Sequence, residues 1–250
     1  GLKLTADEFR AAITPKTRML LLCSPSNPSG SVYALEELEV LAAVAVEHGI
    51  YVLSDEIYEK LIYDGVEHHS IAAISPEVKA LSIVVNGVSK AYAMTGWRIG
   101  YTGASAEIIA GMNKVQSQEV SHPSSISEKA AVEALDGPQE SVEEMRQAFD
   151  ERRRYMVEHL NAIAGIECTL PQGAFYAYPD VTAYYGRRAG NREIGDSVAL
   201  CEYLLEEGKV ACVPGAGFGT REHIRLSYAT SMELIAAAMD RVAAALGALE

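Results

Sequence analysis

Two short, unbroken apolar runs, residues 18–24 (RMLLLCS) and 50–54 (IYVLS), flank a segment in which Leu35, Leu38, Leu41, Ala42 and Ala45 recur at helical spacing with acids between them. The runs have the length of strands covered on both faces, and the segment between them reads as a helix stopped by His48-Gly49. Strand, helix, strand at this spacing is the repeating unit of a parallel sheet, because parallel neighbours need a crossover long enough to hold a helix. A third run at 81–85 ends at Asn86-Gly87, and residues 98–102 are expected to add a fourth strand, followed by a helix capped near Ser105. In open sheets of this kind ligands sit outside the carboxyl ends of the strands, which puts Asn27, Asp55 and residues 86–90 first among candidate site residues.

The second half changes character. A long charged helical stretch at 138–164 is expected to connect two lobes, and strands at 175–178, 210–213 and 224–228 alternate with helices near 195–207 and 231–249. The pattern predicts an α/β fold, with a mainly parallel domain over 1–145 and a smaller α+β domain over 146–250. Three further expectations can be checked in the fold. Arg152-Arg153-Arg154 reads as a solvated face, Thr230-x-x-Glu233 as the capping box of the last helix, and Leu234, Met239, Val242 and Leu246 as its core-facing stripe.

Composition narrows the function. The 250 residues carry 34 acids against 21 Lys plus Arg, a formal charge of -13, which is the wrong sign for neutralising a phosphate backbone, so no nucleic-acid partner is expected. No apolar run reaches the roughly eighteen residues of a membrane span, and the N-terminus lacks a signal-peptide pattern. Cys23, Cys168, Cys201 and Cys212 form no C-x-x-C pair, so reduced thiols and a cytoplasmic location are the expectation.

Lys90 is the strongest chemical candidate. It follows a buried strand and a small-residue turn, where desolvation favours the neutral amine that attacks a carbonyl, and Arg98 lies eight positions on, able to hold an anion with two parallel N–H groups. Other candidates are weaker. Gly215-Ala216-Gly217-Phe218-Gly219 lacks the spacing of a nucleotide loop and reads as a turn, Glu67-His68-His69 reads as a surface loop rather than a metal site, and His122-Pro123 reads as structural.

Residues 87–100 (GVSKAYAMTGWRIG) resemble the pyridoxal-phosphate attachment pattern of the class I and II aminotransferases, G-x-S-K-x-x-A-M-x-G-x-R-I-G, at every defined position. The resemblance continues in SPSNPSG at 24–30, SDEIY at 54–58, GAFY at 173–176 and IRLSYA at 224–229. Within that family the wording is similar to the bacterial aspartate aminotransferase subgroup, and it corresponds to roughly the last two-thirds of the family's chain, with Gly1 expected to fall inside the large domain.

The resemblance implies a fold-type I architecture, represented here by the C-terminal portion of the large domain and a smaller α+β domain. It implies pyridoxal 5'-phosphate as cofactor and ping-pong transfer of an amino group between an amino acid such as aspartate and 2-oxoglutarate, with a homodimer as the working form. By the same resemblance Lys90 would carry the cofactor and serve as general base, and Asp55 would keep the ring nitrogen protonated. Tyr58 and Asn27 would hydrogen-bond the ring oxygen, Arg98 would bind the phosphate, and Arg225, with Asn27, would take the substrate carboxylate. Where many relatives carry a hydroxyl three positions before the lysine, this chain has Gly87. Two alternatives share the cofactor residues: a lyase or decarboxylase on the same fold, and a non-catalytic cofactor-sensing module of a transcription regulator, which the net charge of -13 disfavours.

Overall fold

The structure, a computed structural model, describes residues 2–250. The chain divides into two compact units, one made of residues 2–26 and 31–146 and the other of residues 27–30 and 147–250. Residues 27–30, expected with the first domain, belong to the second unit because the Gly30 carbonyl accepts hydrogen bonds from Gln172 N (2.9 Å) and Gly173 N (2.8 Å).

The first unit contains α1 (Ala6–Ala12), β1 (Met19–Cys23), α2 (Leu35–His48), β2 (Tyr51–Asp55), α3 (Pro76–Leu81), β3 (Ser82–Gly87), β4 (Gly100–Gly103), α4 (Ala106–Glu119) and α5 (Ser125–Asp136). The strands lie in the order β1-β2-β3-β4, the first three parallel and β4 antiparallel to β3. Register places Cys23 beside Asp55 and Asp55 beside Val85, so the carboxyl ends of the parallel strands are aligned. α2 ends where the sequence predicts, with Gly49 in the left-handed region at φ 62. Its buried residues Leu38, Leu41, Ala42, Val44 and Ala45 pack with Phe9, Leu22, Tyr33, Ile50, Val52 and Val78 into one core. Burying each large aliphatic there contributes roughly 1.5–3 kcal/mol.

α6 (Glu140–Asn161) contains the boundary between the units at 146/147. The second unit continues with β5 (Tyr176–Ala177), β6 (Arg188–Ala189), β7 (Arg192–Glu193), α7 (Ser197–Glu206), β8 (Val213–Pro214), β9 (Ile224–Ser227) and α8 (Met232–Gly247). Its antiparallel sheet runs β5-β9-β8, and β6 and β7 form a separate hairpin.

Three expectations are corrected here. Arg153 is not on a solvated face: it is fully buried, donating to Pro171 O (2.7 Å) and to Asp150 (Nε to Oδ1, 2.9 Å), while Arg154 stays exposed with its own bond to Asp150 at 3.2 Å. A run of three arginines on a helix spans nearly a full turn, so its members cannot share one face. The cap of α8 is Ser231, whose hydroxyl accepts from Leu234 N (3.3 Å), rather than Thr230. Leu234 faces solvent (60% exposed), and Ile235 takes its place in the buried stripe with Met239, Val242 and Leu246.

Candidate active site

In the first unit the site is built at the ends of β2 and β3. The chain leaves β2 in a tight turn in which Asp55 Oδ1 accepts from Ile57 N (3.2 Å), Glu56 N donates to Val85 O (2.9 Å) and Glu59 N donates to Glu56 O (2.9 Å). The turn leaves the Asp55 carboxylate half-buried and seats Tyr58 in the interior, 3% exposed. Lys90 follows β3, and its Nζ lies 5.9 Å from the centroid of the Tyr58 ring. The structure therefore brings Lys90 and Tyr58 together and sets Asp55 three residues before that tyrosine, on a neighbouring strand end.

Arg98 is exposed and donates from Nη1 to Thr95 O (2.8 Å), which leaves most of its guanidinium N–H groups available. The segment carries Ala93 at φ 52 and Arg98 at φ 50, two left-handed non-glycine residues within six positions. Such conformations cost about 1 kcal/mol or more each and cluster at functional sites. Gly87, which stands where many relatives carry a hydroxyl residue, pairs with Gly100 across β3 and β4, and a Cβ there would lie 3.1 Å from Ile99 O and 3.2 Å from Gly100 Cα. A side chain at 87 thus requires these strands to separate slightly.

In the second unit Arg225 projects from β9 and donates from Nη1 to Asn27 Oδ1 (2.6 Å). Its guanidinium carbon lies 4.4 Å from the Tyr176 ring centroid and 5.1 Å from that of Phe218. Two aromatic faces and one amide oxygen fix the guanidinium while leaving N–H groups for an anion, an arrangement suited to a carboxylate. Tyr176 and Phe218 were not among the sequence candidates. Phe218 ends the glycine-rich turn, a 3-10 turn Gly215–Phe218, and a Cβ on Gly215 would meet His223 O at 2.3 Å, so the turn serves to bring Phe218 against Arg225.

Glu56 was not among the sequence candidates, and it pairs with His68. Glu56 is 4% exposed; its Oε1 accepts from the Ser54 hydroxyl (2.9 Å) and the Ser70 hydroxyl (2.7 Å), and its Oε2 lies 3.2 Å from His68 Nε2. His68 was expected on a surface loop, but its side chain is 14% exposed because the loop folds it back onto Glu56. Burial pushes the Glu56 carboxyl pKa up, yet the hydrogen bonds from His68, Ser70 and Ser54 together outweigh it, so the group sits below the usual glutamate range and is ionised at neutral pH. Glu56, Glu59 and His68 each bring one ligand atom within 4.8 Å of the others. Within this cluster Glu56 Oε2 and His68 Nε2 share a hydrogen bond.

The sequence profile of the family described as "Aminotransferase class I and II" matches residues 1–242. The chain is 48% identical over 240 residues to an aspartate aminotransferase of Geobacillus stearothermophilus, covering 96% of this chain and 60% of that protein. It is 47% identical to an aspartate/prephenate aminotransferase of Nitrosomonas europaea, covering 98% and 62%. The crystal structure of the aspartate aminotransferase from Rhizobium meliloti superposes with a TM-score of 0.96 at 45% identity, over 100% of this chain and 63% of that one. An aromatic aminotransferase from Pyrococcus horikoshii superposes at 0.90 with 38% identity, over 98% and 64%. The chain thus spans about 60% of the length of the curated relatives it matches. A family profile that runs through both units and structural likeness at this identity lead to one conclusion: the chain belongs to the class I and II aminotransferases.

Proposed function

We propose that this chain carries the lysine-bearing part of the active site of a pyridoxal 5'-phosphate-dependent aminotransferase, with an amino acid such as aspartate and a 2-oxo acid such as 2-oxoglutarate as substrates. The observation that carries the reading is Lys90 at the exit of β3 beside the buried Tyr58, in a segment that holds Ala93 and Arg98 in left-handed conformations. The names of the relatives, aspartate and aspartate/prephenate aminotransferases, support the substrate class.

The residues present fit the cofactor. When bound, pyridoxal phosphate supplies an electron sink for a bond broken at the substrate α-carbon. Lys90 would hold it through the ε-amine and, once displaced by the substrate amine, accept the α-proton as general base. Asp55 accepts from Ile57 N with Oδ1, and its other oxygen would hold a proton on the ring nitrogen. Tyr58 would donate its hydroxyl to the ring oxygen, and Arg98 would take the phosphate with its remaining N–H groups. Arg225 would grip the substrate carboxylate; because Asn27 Oδ1 is already engaged with Arg225, the Asn27 amide N–H groups are the ones left to donate to the ring oxygen. The same reading takes the working protein as a cytoplasmic homodimer. Free thiols at Cys168, Cys201 and Cys212, and exposed apolar side chains on α4 and α5, support it.

The test is chemical. Pyridoxal phosphate added to the purified chain is expected to give a visible absorption band, and borohydride reduction followed by peptide mass spectrometry should locate the label on Lys90 and find none in Lys90→Ala. Absence of a label on Lys90, or an equal label elsewhere in Lys90→Ala, would sink the reading. Transamination of aspartate with 2-oxoglutarate by the labelled-competent protein then checks the substrates.

A further inference from the structure

The turn that presents Asp55 and Tyr58 is fastened from behind by a buried side chain of its own. Along β2 and into the turn, Ser54 and Glu56 are buried while Asp55 between them is half-buried, the alternation expected when successive side chains leave opposite faces. Asp55 therefore faces one side and the Ser54–Glu56 pair the other. Ser70 stands at the N-cap of a 3-10 turn, Ile71–Ala73, yet makes no side-chain cap bond there; its hydroxyl is donated to Glu56 instead. A residue that forgoes the usual use of its hydroxyl at a cap position is the kind of local exception that marks a functional demand. Among the described residues His68 Nδ1 is buried without a hydrogen-bond partner, so the ring's hydrogen bond is the one between Nε2 and Glu56, and the tautomer that donates there carries its proton on Nε2.

We propose that Glu56 is a positioning residue for the cofactor site: with Ser54, Ser70 and His68 it locks the turn from Asp55 to Tyr58, and through that turn it sets where the Asp55 carboxylate and the Tyr58 hydroxyl stand. The backbone completes the lock, since Glu56 N donates to Val85 on β3, the strand that leads to Lys90, and Glu56 O accepts from Glu59 N. A buried carboxylate stripped of these partners must either lose its charge or turn towards water, and either movement rotates the peptide unit it shares with Asp55. The inference rests on the reading of Lys90 as the cofactor-bearing residue.

The experiment compares the wild-type chain with Glu56→Ala, Glu56→Gln and Ser70→Ala. Four readouts are taken: label on Lys90, the dissociation constant for pyridoxal phosphate from the visible band, the pH midpoint at which that band shifts, and the thermal midpoint without cofactor. Glu56→Ala and Ser70→Ala are expected to weaken cofactor binding roughly tenfold, the scale of one hydrogen bond to a charged group, and to displace the pH midpoint. Glu56→Gln, which keeps the acceptor for the two serines, should recover most of the affinity. If wild type takes no label on Lys90, the functional reading falls and this inference with it. If wild type is labelled but the variants differ from it only in thermal midpoint, with the same affinity and pH midpoint, Glu56 is merely structural and the proposal is overturned while the functional reading stands. Should Glu56→Ala fail to fold, Ser70→Ala, which removes a single hydrogen bond, decides.

Discussion

Arg153 shows how much one side chain can hold. It is fully buried and joins Asp150 to the carbonyl of Pro171, the residue whose Cβ would lie only 2.4 Å from a Cβ on Gly30. Truncation to alanine takes the Arg153 donors from that carbonyl and from the Asp150 carboxylate, and because Asp150 still reaches water and keeps Arg154 at 3.2 Å the cost should fall near the low end for a broken buried pair, about 3 kcal/mol. Urea unfolding of Arg153→Ala checks this: the midpoint should drop with the slope unchanged. Cys168 gives a second prediction at this scale. Burial pushes its thiol pKa up to about 11, against a smaller opposing contribution from the Tyr178 backbone. A raised folded-state value means that the folded chain binds the proton more tightly, so this contribution is complete below the unfolded value of roughly 8.5 and is lost as pH climbs towards 11. The loss amounts to roughly 3 kcal/mol. Stability measured between those limits should fall more steeply in wild type than in Cys168→Ala, and parallel curves would refute the assignment.

At the scale of elements, caps and close approaches decide which local structures form. Asp196 caps α7, its Oδ1 accepting from Val198 N and Ala199 N, both at 2.9 Å, and Asp196→Ala should cost about 1 kcal/mol in thermal or urea unfolding. Gly30 is more demanding, since it sits at φ 67 and an added Cβ would lie 2.4 Å from Pro171 Cβ and 2.7 Å from Gly173 O. Gly30→Ala is expected to lose more than about 2 kcal/mol, from strain and overpacking together. The parallel strands and α2 were legible in the sequence because apolar runs and helical spacing there answer to local physics. The attachment segment from Gly87 to Gly100 was legible because its residue types are dictated by close backbone approach, as the Gly87–Gly100 pair shows. What stayed hidden was set by partners distant in sequence. Glu56 is explained only by Ser70 and His68, Arg153 only by Pro171, and the clamp on Arg225 only by Tyr176 and Phe218. The β6–β7 hairpin, two residues a side, is too short for any alternation to announce it.

For the whole molecule, the balance between charge and exposed apolar surface governs association. The first unit presents Val115 (58% exposed) and Val120 (67%) on and just after α4, and Ile126 (78%) and Val132 (54%) on α5. Apolar side chains in such numbers favour contact with another copy. Against this stands a net charge of -13, which makes copies repel at long range. Repulsion between exposed charges is screened by salt, over about 30 Å at 0.01 M and about 10 Å at 0.1 M, whereas contact between apolar faces is not weakened by it. The chain should therefore associate more strongly as ionic strength rises, the reverse of what ion-paired assembly would show. Sedimentation velocity at low and moderate salt measures this directly, and the double variant Val115→Glu, Ile126→Glu should stay monomeric at both. Association that weakens with salt, or that the double variant leaves untouched, would mean that the apolar faces of α4 and α5 are not what brings copies together.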